Sequence, residues 1–147
     1  MWWTKHLWVI AIQIAAFLPY CVGSYRFYKE KGRFMRWIAT GIVLDCIMAI
    51  TASTGMLPRM GSEQGAPWTS ILFLLHIIFS GSGMLAFILM FFYLIIRGVN
   101  KEYPRLRRIQ YKIFLKMWMI GVAIALINFL VKILFQQRIY DWPWQIL

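Results

Sequence analysis

The stretch Arg97-Gly98-Val99-Asn100-Lys101-Glu102-Tyr103-Pro104-Arg105-Leu106-Arg107-Arg108-Ile109-Gln110-Tyr111-Lys112 decides how this chain is read. It carries six cations and one anion, and it separates two long apolar runs, 70–96 and 113–135. The pattern recurs upstream. Ser24–Arg36 holds Arg26, Lys29, Lys31, Arg33 and Arg36, and it separates the apolar runs 7–23 and 37–57. These two stretches contain eleven of the sixteen basic residues (five in the first, six in the second). The remaining connection, Pro58–Thr69, has only Arg59, balanced by Glu63.

A helix needs about 20 apolar residues to cross a hydrocarbon layer. Loops rich in lysine and arginine stay on the cytoplasmic side. Together these rules predict an all-α chain, an integral membrane up-down four-helix bundle forming a single domain over 1–147. Its spans fall at about 7–23, 37–57, 70–96 and 113–135, followed by an interfacial tail over 136–147. Both basic loops are expected in the cytoplasm, with the N-terminus and C-terminus outside. The tryptophans agree with that direction. Trp2, Trp3, Trp8, Trp68, Trp142 and Trp144 fall at the outer interface, and only Trp37 and Trp118 fall toward the inner side. Indole rings favour the headgroup region.

Composition excludes an ordinary soluble domain. The chain has 147 residues, 61% hydrophobic and 14% charged, against about 45–50% and about 25% for soluble proteins. A net charge of +11 on one exposed face would point to nucleic acid. Divided between membrane-flanking loops, it points to anionic lipid headgroups, with Arg33, Arg36, Arg105, Arg107 and Arg108 as contacts to lipid or a partner. No nucleic acid is expected. Cys21 and Cys46 both lie in apolar runs and form no CxxC pair. The first apolar run lacks a small-residue cleavage site and is followed by positive charge, so it reads as an uncleaved span.

Polar residues inside spans are costly and face the interior. In the first span His6, Gln13 and Tyr20 recur every seven residues, and in the second Gly41, Asp45, Ala49 and Ser53 every four. The third has His76, Ser80 and Gly83, and the fourth Gly121, Ala125, Asn128 and Lys132. Each set shares one helix face. At 1.5 Å rise per residue, Gln13, His76 and Asn128 form an outer polar layer, with Asp45 deeper and alone. His76 or an inner-loop Lys or Arg are the expected partners of Asp45.

These four residues, Asp45, His76, Asn128 and Gln13, make a candidate proton or polar site. His6 and His76 are the candidate ligands for haem b, which needs two axial ligands on opposite sides of the iron. A quinone needs hydrogen-bonding groups in an apolar cleft, which His76, Asn128 and Gln13 supply. No catalytic residues are assigned, because no HExxH, GxSxG or phosphate-binding loop is present. No metal site is assigned either.

Lys31-Gly32-Arg33-Phe34-Met35-Arg36 leads into the run bearing Asp45. Leu75-His76 opens the next, and Tyr103-Pro104-Arg105-Leu106-Arg107-Arg108 precedes the last. Over about 29–135 this order resembles a family of small four-span bacterial membrane proteins. Members include assembly factors of haem-copper oxidases (CtaM/YozB-like). The resemblance carries over Asp45, His76, Arg33, Arg36 and Arg105. Further histidines of the family near Gly32 and Tyr103 have no counterpart here.

The expectation is therefore a non-catalytic small protein of the bacterial cytoplasmic membrane, an accessory subunit or assembly factor of a larger respiratory or redox complex. Its partners would be the bilayer and other membrane-protein subunits. Two alternatives stand beside it. One is a redox subunit binding haem b or quinone at His76, with Asp45 in proton transfer. The other is a small proton-coupled transporter, dependent on Asp45 and homo-oligomeric.

Overall fold

A computed structural model of the chain describes residues 3–53, 67–99 and 101–135. Side chains at 3–10, 52–53, 67–70, 73, 129 and 131–135 are outside that description. Trp2, Thr54, most of the expected outer loop and the tail with Trp142 and Trp144 lie outside the described residues. So do the side chains of His6, Trp3, Trp8, Ser53, Trp68 and Lys132.

Among the described residues every regular element is helical. Helix α1 is Trp3–Tyr28 and α2 is Phe34–Ser53. Helix α3 covers 67–97: α-helical Pro67–His76, a π-helical turn Ile77–Gly81, then α-helical Ser82–Arg97. Helix α4 covers 104–135 in the same manner, with its π turn at Gln110–Phe114. Three segments are long and apolar enough to cross a membrane: Phe34–Thr51, Leu74–Arg97 and Pro104–Asn128, of mean hydropathy 1.6, 2.1 and 1.5. They mark the chain as a membrane protein. Helix α1 has 26 residues, about 39 Å of rise.

The helices run further into the basic stretches than apolarity alone predicts. Helix α1 continues through Arg26 to Tyr28, and α4 begins at Pro104 rather than near Ile113. Proline at the first helical position lacks an N–H that would have no partner there. The chain turns between α1 and α2 over 29–33 alone. Lys31 N–H donates to the Arg26 carbonyl at 2.8 Å, and Glu30 is left-handed at φ 58°. This is the geometry of a helix stop usually made by glycine. Glu30 supplies a carboxylate instead, which pairs with Arg107 of α4.

Helix α1 packs along α2, α4 touches α1 and α3, and α3 also touches α2. The contact pairs give direction. Gly23 meets Ile38 and Gly41 meets Tyr20, so α1 and α2 are antiparallel; Gly83 meets Trp118 and Gly121 meets Ser80, so α3 and α4 are too. Buried side chains follow one stripe per helix: Ile12, Ala16, Tyr20, Ser24 and Phe27 on α1, and Phe87, Met90 and Leu94 on α3. Leu115, Trp118, Val122 and Ala125 face them from α4. Outward faces are apolar on every helix, with Leu18, Ile50, Leu89 and Ile127 all exposed. In water such patches would drive aggregation; against lipid tails they are matched to their solvent.

Without a hydrophobic drive between helices in lipid, close approach must supply the packing energy. A Cβ on Gly83 would stand 2.7 Å from the Trp118 Cβ and 2.8 Å from its backbone, whereas one on Gly81 would meet nothing within 4 Å. Gly83→Ala should therefore lower stability by about 1–3 kcal/mol. Gly81→Ala should leave it unchanged or raise it by up to about 1 kcal/mol. Thermal unfolding in detergent, followed by circular dichroism, separates the two; equal midpoints would count against the close approach.

Candidate functional site

Asp45 stands one turn beyond Gly41 on α2, and that glycine is what brings a partner to it. A Cβ on Gly41 would lie 2.9 Å from the Tyr20 ring, so only glycine lets the ring rest on the α2 backbone. The Tyr20 hydroxyl then reaches Asp45 Oδ2 at 3.5 Å, a long contact. The stronger bond comes from α4: Trp118 Nε1–H donates to the same oxygen at 2.7 Å. The Tyr20 ring lies 4.4 Å from Phe87 and 4.5 Å from Trp118, centroid to centroid. Tyr20, Phe87 and Trp118 are fully buried. One residue from each helix thus meets at a single level.

Removing a carboxylate from water costs several kcal/mol unless donors replace the hydration. A tryptophan N–H is well suited to this position, because it donates one bond and exposes no acceptor of its own. The remainder of the indole packs against the Tyr20 and Phe17 rings of α1.

His76 ends the first α-helical part of α3. Its Nδ1–H donates to the Gly121 carbonyl of α4 at 2.8 Å. A carbonyl can only accept, so the bond fixes the tautomer with the lone pair on Nε2. The π turn follows at once, and Ser80 Oγ–H donates to the His76 carbonyl at 2.6 Å. Extra turns of this kind occur often at functional sites. Here the turn carries Ser80, whose backbone packs against Gly121.

The expected polar layer is therefore separated from Asp45. His76 precedes Gly83, which faces Trp118, by seven residues, or about 10 Å along α3. Gln13, half-buried, precedes Tyr20 by the same interval. Asn128 follows Trp118 by ten residues, about 15 Å, and takes part in an interaction of its own. With adjacent helices antiparallel, all three fall on one side of the Asp45 level. The side chain of His6 is outside the described residues, so a bis-histidine pair is not assembled among them. Among the described residues no three His, Cys, Asp or Glu side chains group as metal ligands.

Several of these expectations change. Asp45 is bonded to Trp118 and Tyr20, not to His76 or a loop cation. Trp118, which falls toward the inner side in the sequence, is a fully buried core residue. Arg107 does not project to headgroups: it pairs with Glu30, lies 5.7 Å over the Phe27 ring, and its side chain is 14% exposed. Arg33, Arg36, Arg105 and Arg108 are exposed. Ala49, expected on the inner stripe of α2, faces outward. The sequence reading also missed a second buried polar contact, in which Gln110 Nε2–H donates to Ser24 Oγ near the basic end. A signal existed. Ser24 continues the Gln13–Tyr20 face, and Gln110 and Trp118 continue the Gly121–Asn128 face, at helical spacing.

Comparison with known proteins finds no match: no family model, no curated protein and no solved structure is similar to this chain.

Trp118→Phe leaves the Asp45 carboxylate short of its main donor and should cost about 1–3 kcal/mol. Asp45→Asn keeps an acceptor oxygen and should cost less. Asp45→Leu combined with Trp118→Phe removes both partners and should recover at least half of the single Trp118→Phe loss. A double-mutant cycle on thermal or chemical unfolding in micelles measures this; strictly additive losses would show that the two residues do not act through this bond.

Proposed function

We propose that this chain is a non-catalytic protein that crosses a bacterial cytoplasmic membrane four times and serves as an accessory subunit or assembly factor of a larger respiratory or redox complex. The observation that carries the proposal is the pairing of inward polar groups between helices among the described residues. Asp45 takes the Trp118 indole and the Tyr20 hydroxyl, and His76 is bonded to the Gly121 backbone. These polar groups tie helix to helix. Polar pairs of this kind hold membrane helices in register. What remains to engage other molecules is the outside: apolar faces on every helix and a basic end. Such faces suit packing against partner helices and lipid. The short motifs around Arg33, Asp45, His76 and Arg105 make haem-copper oxidase the first host complex to test.

In this reading α1 is the first span, and the Glu30–Arg107 end lies in the cytoplasm with both basic stretches. The outer half contains His76, Asn128 and Gln13. Purification from native membranes in mild detergent should recover subunits of a respiratory complex at near-stoichiometric ratio, with no Soret band belonging to this chain. Elution as a homo-oligomer free of other subunits would defeat the proposal.

The His76 tautomer favours a second reading. A histidine that ligates iron usually donates its other ring N–H to a backbone carbonyl or carboxylate, which orients the ring. The Nδ1–H bond to Gly121 has that form, and it fixes the orientation of the ring. A Soret band in the purified protein that disappears in His76→Ala would establish this redox role in place of the accessory one.

A further inference from the structure

A groove lies at the basic end, between the last turns of α3 and the first turns of α4, with a volume of about 800 Å³. Its walls are Ala86, Leu89, Met90 and Phe114. From Ala86 to Tyr93 it runs about 10 Å along α3. Leu89 is 61% exposed, so the groove opens sideways, toward the surroundings of the helices rather than into the core.

The mouth has different chemistry. Tyr93, Tyr103, Glu102 and Arg105 line it. Tyr103 is held in place: its hydroxyl donates to the Gly98 carbonyl at 3.0 Å, and its ring meets Tyr93 edge-on at 5.8 Å. Arg105 is exposed, as are Arg97, Lys101 and Arg108 around it. In the lining itself Arg105 stands with one acidic group, Glu102; the other three cations lie within eight residues of Arg105 in sequence. Arg107, the remaining arginine of the stretch, is turned away to Glu30. Hydrocarbon below, tyrosines at the boundary and guanidinium above follow the profile of one phospholipid leaflet.

We infer that this groove binds an anionic phospholipid, with an acyl chain along Ala86, Leu89 and Phe114 and the phosphate at Arg105. Charge complementarity selects the headgroup: Arg105 lines the mouth, and the exposed charged residues of 97–108 are four cations against Glu102. The depth of the groove is apolar, which suits an acyl chain and offers no donor for the carbonyls of a quinone. Arginine forms paired hydrogen bonds to phosphate oxygens that a lysine would not reproduce. The inference rests on the reading that this end of the chain lies at headgroup level in a bilayer. Resistance to alkaline extraction from membranes tests that reading separately.

Native mass spectrometry of the detergent-purified protein with equal phosphatidylglycerol and phosphatidylcholine should show retention of the anionic lipid. Arg105→Gln should reduce that preference about fivefold, the worth of one basic residue near an anionic surface. Ala86→Trp should fill the groove and abolish retention, with Leu89→Trp as a second block if Ala86→Trp fails to fold. Lys29→Gln, at an exposed cation of the other basic stretch, should change nothing. Equal retention of the two lipids overturns the inference, as does a quinone in the groove. An equal loss in Lys29→Gln, or retention in a folded groove-blocked variant, also overturns it.

Discussion

The bond from the Trp118 indole to Asp45 is the constraint around which the other helices are arranged. At 2.7 Å it joins α2 to α4, two helices that make no close backbone contact of their own. Everything near it serves that reach. Gly83 lets α3 come up against the backbone of Trp118, and Gly41 lets Tyr20 lie against α2. Phe87 and Tyr20 then close the apolar part of the cluster. An unmatched carboxylate in a low-dielectric interior is costly, so sliding any of these helices by one turn would be resisted by the loss of its donors. The helices' own apolar faces could not provide this, because lipid tails satisfy an apolar side chain equally well.

A second set of ties operates at the basic end. Gln110 reaches Ser24 in the core, and Arg107 reaches Glu30 across the surface of Phe27. The first joins α4 to α1 and the second joins α4 to the turn that follows α1, using charges that a count along the chain assigns to solvent. The left-handed Glu30 is part of this arrangement, since the same residue ends α1 and accepts from Arg107. The positive charge is consequently less uniform than it looks in one dimension. Arg107 is neutralised and mostly covered, whereas Arg97, Lys101, Arg105 and Arg108 remain exposed beside an apolar groove. That asymmetry gives the groove its chemical polarity.

Helices α3 and α4 each contain a π turn, and in both cases the turn stands next to an interhelical polar contact. On α3 it follows His76, bonded to Gly121; on α4 it begins with Gln110, bonded to Ser24. A widened turn frees backbone carbonyls and rotates the residues beyond it. Ser80 supplies a hydroxyl to one such carbonyl. The two ends of the molecule are thus built alike, each with one polar side chain crossing between helices beside a widened turn.

Much of this was legible in one dimension. Charge blocks between apolar runs indicated helices suited to a membrane, because the cost of moving ions into hydrocarbon leaves few other arrangements. Spacings of three, four and seven placed Tyr20, Asp45, Gly83 and Gly121 on inward faces, because side-chain direction on a helix follows residue number. Which inward residue meets which was decided only by tertiary structure. Helical periodicity fixes an angle around each axis but leaves the relative height and rotation of two helices open. Depth along single helices accordingly leaves Asp45 alone, with His76 or an inner-loop cation as its candidate partners, and places Trp118 toward the inner side without saying what it meets. The actual pairing came from backbone approaches at Gly41, Gly83 and Gly121, where the absence of a Cβ sets how near two helices come and so which donor reaches the carboxylate.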